Sequence, residues 1–328
     1  METDLTKNIF DVGIIGCGLA GMAAAKELLR LDPTRSILIV DKDTLKGGQA
    51  KGGDFLWEGI GKDVTKYLLS LDHDIFETTN VRVACNKVEY LAYHHGLIIL
   101  QCHAGVNYFC KTLILATGTE LEYEELPTPL PQYNYPAIWQ LFGTGVHFNQ
   151  NPSLQILNSL KGKVAVLSGS SPIECCVALD MAEYCKDVYM VDTCFELEAE
   201  KSCKNFADLV THRTNIHWLP NCKIDKIILN RQKRISAVNL STGETIKCSA
   251  VGRKSILKPN NKYVNNLAEL DENGFIKTNA YHECGVPGVF AVGTCTGPAF
   301  KSARTVEIEG QVAGSNAHIF LRDHFKRG

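Results

Sequence analysis

Three glycines and one acid carry the first chemical signal in the chain: Gly16, Gly18 and Gly21 in the run Gly16-Cys17-Gly18-Leu19-Ala20-Gly21, and Asp41 twenty residues beyond the last of them. Without a Cβ, Gly16 permits a sharp turn, Gly18 lets backbone N–H groups approach a pyrophosphate, and Gly21 lets a helix pack closely on a strand. A helix starting at such a turn points its unbonded N–H groups, those of Leu19 and Ala20 among them, at the anion. Asp41, with Lys42 beside it, then stands where a carboxylate accepts hydrogen bonds from ribose hydroxyls. Glycines alone are a weak signal. Their context is what implies a dinucleotide: an apolar strand before them, apolar residues at helical spacing over 22–31, an Asp32-Pro33 break, and a second apolar strand ending on Asp41.

The same order recurs later with different chemistry. A strand over 163–167, the turn Ser168-Gly169-Ser170-Ser171-Pro172, a helix over 173–185 and a strand over 188–191 lead to Asp192. Serine here adds a Cβ and a hydroxyl where a pyrophosphate needs bare backbone, and Pro172 removes a donor. Asp192 suits the ribose of NADH and repels the 2′-phosphate of NADPH. Of thirteen cysteines none forms a CxxC, and their spacing matches no zinc site, so no metal is expected.

These constellations need elements to hold them. With 328 residues, 45% hydrophobic and 21% charged, the chain has the composition of a globular protein large enough for two cores. A formal charge of −2 gives no electrostatic support for a nucleic-acid partner. No apolar run spans a membrane and the first residues are polar and acidic, so the expectation is a cytoplasmic protein whose cysteines stay reduced. The fold class expected is α/β, with two Rossmann-like, three-layer dinucleotide-binding domains, the second inserted into the first. The boundaries are 1–120 and 246–328 for the first domain and 121–245 for the insert. Within this frame 42–62 is a glycine-rich loop, 81–93 and 97–110 read as strands joined at His94-His95-Gly96, and 111–116 reads as a strand running into Thr117-Gly118-Thr119. A proline-rich linker over 120–135 makes the first crossing, and 216–241 has hairpin character. A turn at Glu272-Asn273-Gly274, a strand over 288–292 ending on Gly293-Thr294, and a long helix after Lys301 close the chain.

In this order the motifs GCGLAG with Asp41, GGQ, ILATGT, ENGFI, GVPGVFAVGT and FKSA resemble those of the low-molecular-weight thioredoxin reductase family of flavoproteins, over essentially the whole chain. The resemblance implies FAD held at Gly16, Gly18, Leu19, Ala20, Gly21, Asp41, Lys42, Gly48, Gln49, the backbone near Cys85, Ala116, Thr117, Gly118, Gly293, Thr294 and the turn Lys301, Ser302, Ala303. It also implies a homodimer. In the family, electrons pass from NADPH through FAD to a CxxC in the insert. Here the matching run Gly145-Val146-His147-Phe148 places Asn149 and Pro152 at the cysteine positions and Ser153 where an acid follows, and neither Asn nor Pro carries redox electrons. The basic pair that grips the 2′-phosphate is missing, and Gly293-Thr294 replaces the Gly-Asp whose acid binds the ribityl chain.

The expectation is an FAD-dependent oxidoreductase without the disulfide relay and without NADPH, its electrons drawn from ferredoxin or another non-nucleotide donor and its partner a small ferredoxin-like or thioredoxin-like redox protein. Two alternatives stand beside it. One is a disulfide reductase using NADH or relocated cysteines, Cys175-Cys176 at a helix start or Cys295 near the flavin edge; adjacent helical cysteines point about 100° apart, which favours packing. The other is a non-enzymatic protein in which FAD stabilises the fold. No catalytic residue is assigned, since Tyr135, Trp139 and His147, near the family's reacting centre, read more simply as packing.

Overall fold

The computed structural model describes residues 9–43, 47–48, 70–71, 73–125, 138–139, 160–202, 204–232, 234–264, 267–297, 301 and 303–325. Gln49, Tyr135, His147, Asn149, Pro152, Ser153, Ser302 and the side chain of Trp139 lie outside the described residues.

The chain begins with strand β1 (Ile9–Ile15), helix α1 (Leu19–Leu31) and strands β2 (Ile37–Asp41), β3 (Val81–Cys85), β4 (Val88–His94), β5 (Leu97–Cys102), β6 (Asn107–Leu115) and β7 (Thr119–Tyr123). Next come β8 (Ile138–Trp139), β9 (Val164–Ser168), helix α2 (Pro172–Ala182), β10 (Asp187–Val191), helices α3 (Glu198–Ser202) and α4 (Lys204–Thr211), β11 (Ile216–Leu219), β12 (Ile224–Leu229) and β13 (Ile235–Leu240). Strands β14 (Thr245–Lys247), β15 (Ala250–Gly252), β16 (Ser255–Pro259) and β17 (Val289–Ala291) lead to the long helix α5 (Ala303–His324). They form two compact units, residues 1–120 with 258–328, and residues 121–257.

In the first unit the sheet runs β3-β2-β1-β6-β5-β4, with β17 also paired to β6. Strands β1, β2, β3, β6 and β17 are parallel neighbours, while β4 and β5 run antiparallel. Near-continuous apolar runs such as ILIVD in β2 are what a parallel strand covered on both faces requires. One of those covers is α1 packed on α5, at van der Waals contact of the two backbones: a Cβ on Gly310 would come within 2.4 Å of the Ala20 carbonyl oxygen.

Several sequence expectations need correction. The stretch 81–93 is two strands, parallel β3 and antiparallel β4, because the chain turns at Asn86, whose side-chain oxygen accepts the Lys87 N–H. The strands expected over 97–110 and 111–116 divide elsewhere: a turn at His103–Gly105, with Ala104 at φ +60°, separates β5 from one continuous β6. The loop His94-His95-Gly96 does join β4 to β5, with His95 and Gly96 at positive φ.

The second unit holds the parallel sheet β11-β10-β9-β15-β8 and the antiparallel sheet β12-β13-β14. Val166, Val191, Ile227 and Val238 form part of the core between them. Of the stretch 216–241 only β12 and β13 form a hairpin, since β11 pairs parallel to β10. The chain does not leave this unit near residue 245, because β15 lies parallel beside β9; the division falls after Leu257. Helix α2 starts at Pro172 and stops at Ala182, Ser171 serving as its N-cap.

Candidate functional site

The C-terminal ends of parallel strands are where an open α/β sheet presents ligands, because the crossover loops part there. In the first unit β1 ends into Gly16, β2 on Asp41, β3 on Cys85, β6 into Ala116 and β17 into Gly293. The residues expected to hold a dinucleotide therefore converge from five strands onto one edge. Gly16 adopts φ +106°, and a Cβ there would lie 2.1 Å from the Ala116 carbonyl oxygen, so no other residue fits. The Asp41 carboxylate is tied to the glycine turn: Oδ2 accepts the Cys17 N–H at 2.5 Å and Oδ1 accepts the Asp43 N–H at 2.8 Å. Gly47 pairs with Gly18 as a short parallel bridge, donating to the Cys17 carbonyl at 2.7 Å, and exposed Gly48 follows it.

Helix α1 starts without a side-chain cap. Gly18 is the N-cap, no acid stands in the first turn, and Met22 N–H makes the first helical bond, to the Gly18 carbonyl at 2.9 Å. The amides of Leu19, Ala20 and Gly21 precede that bond and head a helix dipole, which is what a diphosphate recognises. Uncapped amides, bare glycine and a ribose-height carboxylate fit the adenine-dinucleotide half of FAD.

On the opposite side of the same edge, Thr117 Oγ donates to Asn261 Oδ1 at 2.8 Å, and the Gly118 carbonyl accepts the Asn260 N–H at 3.1 Å. Thr294 lies beside them, its hydroxyl accepting from Thr119 Oγ at 3.3 Å. Gly293 N–H donates to Glu309 at 2.8 Å. Lys301 Nζ donates to the Gly293 carbonyl at 3.1 Å, to Thr296 Oγ at 2.6 Å and to Glu309. This partly buried ion pair ties Gly293, just after β17, to α5, whose first residue Ala303 is buried. Lys42 is engaged outward instead, in an ion pair with Glu120 that raises its pKa. Cys85 is exposed beside the Lys42 carbonyl.

Asn261 and Glu309 were not flagged by the sequence. Neither sits in a local motif; their partners lie 144 and 16 residues away.

The corresponding edge of the second unit is closed by its own side chains. Ser171 caps α2 by accepting the Ile173 N–H, and the Glu174 carboxylate accepts from both the N–H and the hydroxyl of Ser171. Ser170 is fully buried, donating to Asp192 Oδ2 at 2.5 Å and accepting the Glu198 N–H at 3.2 Å. Asp192 is 4% exposed. Ligand atoms of Asp192, Cys194 and Glu198 lie within 4.8 Å of one another, but the positive charge there comes from Lys254, 2.9 Å from Glu198 and 3.8 Å from Asp192.

The relocated-thiol expectation also meets the structure here. Cys175 and Cys176 are buried in α2. Cys295 has no exposed surface, its thiol directed at the Val292 and Leu115 carbonyls, and burial pushes its pKa up, which disfavours a thiolate there.

Comparison with known proteins agrees with the fold. The model of the pyridine nucleotide-disulphide oxidoreductase family matches residues 10–311. The thioredoxin reductase of Peptoclostridium litorale is 24% identical over 342 residues, covering 97% of this chain and 99% of that protein. The thioredoxin reductase of Chlamydia pneumoniae is 28% identical over 219 residues, 66% of this chain and 67% of its own length. Among solved structures, the thioredoxin reductase of Lactococcus lactis in its FR conformation superposes with a TM-score of 0.73 at 19% identity, over 96% of this chain and 99% of that one, which establishes the two-domain dinucleotide-binding fold. With five strand ends along one sheet edge and a family match spanning both units, the chain belongs to the pyridine nucleotide-disulphide oxidoreductases and is an FAD-dependent oxidoreductase.

Proposed function

We propose that FAD lies along the first unit's strand edge, and that its electrons come from a donor other than NADPH and leave without a CxxC in the insert. The diphosphate is held at the start of α1, the adenosine ribose at Asp41, and the ribityl and flavin portions along Ala116, Thr117, Gly118, Gly293 and Thr294. Bound FAD supplies the two-electron carrier. The chain's own residues orient it: Lys301 and Glu309 hold the Gly293 turn, and Asn261 holds Thr117 in place.

The observation that carries the donor assignment is the Asp192 carboxylate, buried and bonded to Ser170 instead of open to a ribose. It weighs equally against NADPH and NADH. A small redox protein of the ferredoxin or thioredoxin kind is the partner that remains, acting on a homodimer in the cytoplasm. Thirteen cysteines suit a reducing compartment, and among the described residues no helix is long and apolar enough to cross a membrane.

Anaerobic addition of NADPH, NADH and reduced ferredoxin to the FAD-loaded protein, followed at the flavin absorbance, tests this reading. Bleaching by reduced ferredoxin and not by either nicotinamide is the expected result. Stoichiometric bleaching by NADPH overturns it.

A further inference from the structure

We infer that His282 is a positioning residue of the flavin site: its neutral imidazole lets Glu309 hold the Gly293 turn, and a proton on the ring draws Glu309 away. Two features single it out. His282 adopts φ +61°, in the left-handed region that few residues other than glycine enter. Its Nδ1 is buried and has no hydrogen-bond partner among the described residues. Strain and an orphaned polar atom persist only where the surroundings over-determine them. Here they do so from two sides. The His282 carbonyl accepts the Ala291 N–H at 2.8 Å, tying the residue to β17, and the Tyr281 carbonyl accepts from Asn316 Nδ2 at 2.9 Å, tying its neighbour to α5. Asn279 closes the turn between them, its Oδ1 accepting the N–H groups of Tyr281 and Glu283 at 2.9 and 3.0 Å.

Asn316 and Glu309 lie about two turns apart on one face of α5, so the segment that Asn316 holds runs past Glu309. The charged groups around the ring are Glu309 from α5, Lys301 from the segment ahead of it and Glu283 on its own turn. Glu309 is already engaged, accepting the Gly293 N–H at 2.8 Å and pairing with Lys301 Nζ at 2.9 Å. A protonated His282 becomes a second cation competing for that carboxylate, with a buried N–H that has no other acceptor. Burial pushes the imidazole below its ordinary range; the Glu309 charge opposes this and the Lys301 charge adds to it. An imidazole whose pKa is lowered by the folded arrangement binds its proton more weakly there. The arrangement is therefore at full strength above pH 6.5 and loses ground as pH falls below it. This rests on the reading above that FAD lies along the first unit's strand edge, and adds to it an acid-sensitive hold on the flavin end.

The test equilibrates FAD-loaded full-length wild type, His282→Asn and His282→Gln at steps from about pH 7.5 to about pH 5.5 and measures released FAD by its fluorescence after filtration. Asparagine tolerates the left-handed backbone and takes no charge in this range. The dissociation constant of wild type is expected to rise about tenfold across the range, and that of His282→Asn to stay within about twofold. A wild type whose FAD retention does not change with pH overturns the inference. So does a variant that follows the wild-type profile, and where the asparagine protein fails to fold, glutamine decides by the same comparison. A merely structural role for the ring would shift every point of the curve alike and leave its pH dependence intact. The reading beneath it fails on a separate measure, when changes to the glycine turn before α1 leave FAD affinity untouched.

Discussion

Helices α1 and α2 follow the same chain order, strand then glycine turn then helix, and carry opposite electrostatics. At the start of α1 the N-cap is Gly18 and no acid stands in the first turn, while its last turn has Arg30. At the start of α2 the N-cap is Ser171, Glu174 stands in the first turn, and its last turn has no base. The first helix start has no side-chain partner for its dipole; the second has Glu174 and Ser171. Duplicated topology thus carries two different helix starts, one with a side-chain cap and an acid in its first turn and one with neither.

The largest expected effect comes from adding one methyl group to each glycine turn. Gly16 and Gly169 both hold positive φ, +106° and +100°. At Gly16 the new Cβ meets backbone, the Ala116 carbonyl at 2.1 Å, which cannot move without breaking the pairing of β1 with β6. At Gly169 it meets the flexible side chains of Lys254 and Glu174 at 3.0 Å and beyond. Gly16→Ala should destabilise the first unit by on the order of 4 kcal/mol and abolish flavin retention. Gly169→Ala should cost about 2 kcal/mol, from backbone strain. Denaturant melts and flavin content of the two variants check this, and equal losses would break the contrast.

A subtler exchange gives α1 the cap that α2 already has. Gly18 lies at φ −80° and ψ −178°, extended backbone open to any residue, and a Cβ there would find only Gly48 Cα at 3.9 Å. Gly18→Ser should therefore fold, raising apoprotein stability by a few tenths of a kcal/mol as the hydroxyl takes up a first-turn amide. The same hydroxyl competes with the diphosphate, so FAD affinity should fall about tenfold or more. Fluorescence titration of apoprotein with FAD measures it. Undiminished affinity would mean that the start of α1 is not the anion site.

How much of this was readable beforehand follows from how local each feature is. The first cradle is written in consecutive residues, so Gly16 to Gly21 and Asp41 placed it directly. Glu174 was also legible in principle, since Ser171 followed three residues later by glutamate is a capping box, though the serines alone drew attention. Lys254 was not, because it reaches Gly169 from the stretch after β15. Glu309 was hidden for the same reason, lying in a helix whose partner turn ends a strand. The strand break at His103–Gly105 escaped because Cys102, Ala104, Val106 and Tyr108 keep the apolar alternation while the backbone turns, and the break at Asn86 escaped because Asn86-Lys87 is a short polar interruption between two apolar runs.

The smallest effect tests the other ends of the two helices. Asp180 lies near the C-terminus of α2, where the dipole opposes negative charge, whereas α1 places Arg30 at the matching end. Burial, with the Glu183 charge nearby, pushes the Asp180 carboxyl up from 3.8 to about 7. An acid whose pKa is raised on folding binds its proton more tightly in the native state, so its favourable contribution is complete below pH 3.8 and is lost as pH climbs through about 7. Asp180→Asn removes that dependence. Screening by solvent reduces the benefit to on the order of 1 kcal/mol above neutrality, shrinking to nothing in acid. Thermal melts of wild type and Asp180→Asn across that range should therefore coincide at the acid end and separate at the alkaline end, the asparagine protein higher. A separation that instead grew toward acid would show that Asp180 is held ionised, and that the far end of α2 is as well matched to its dipole as that of α1.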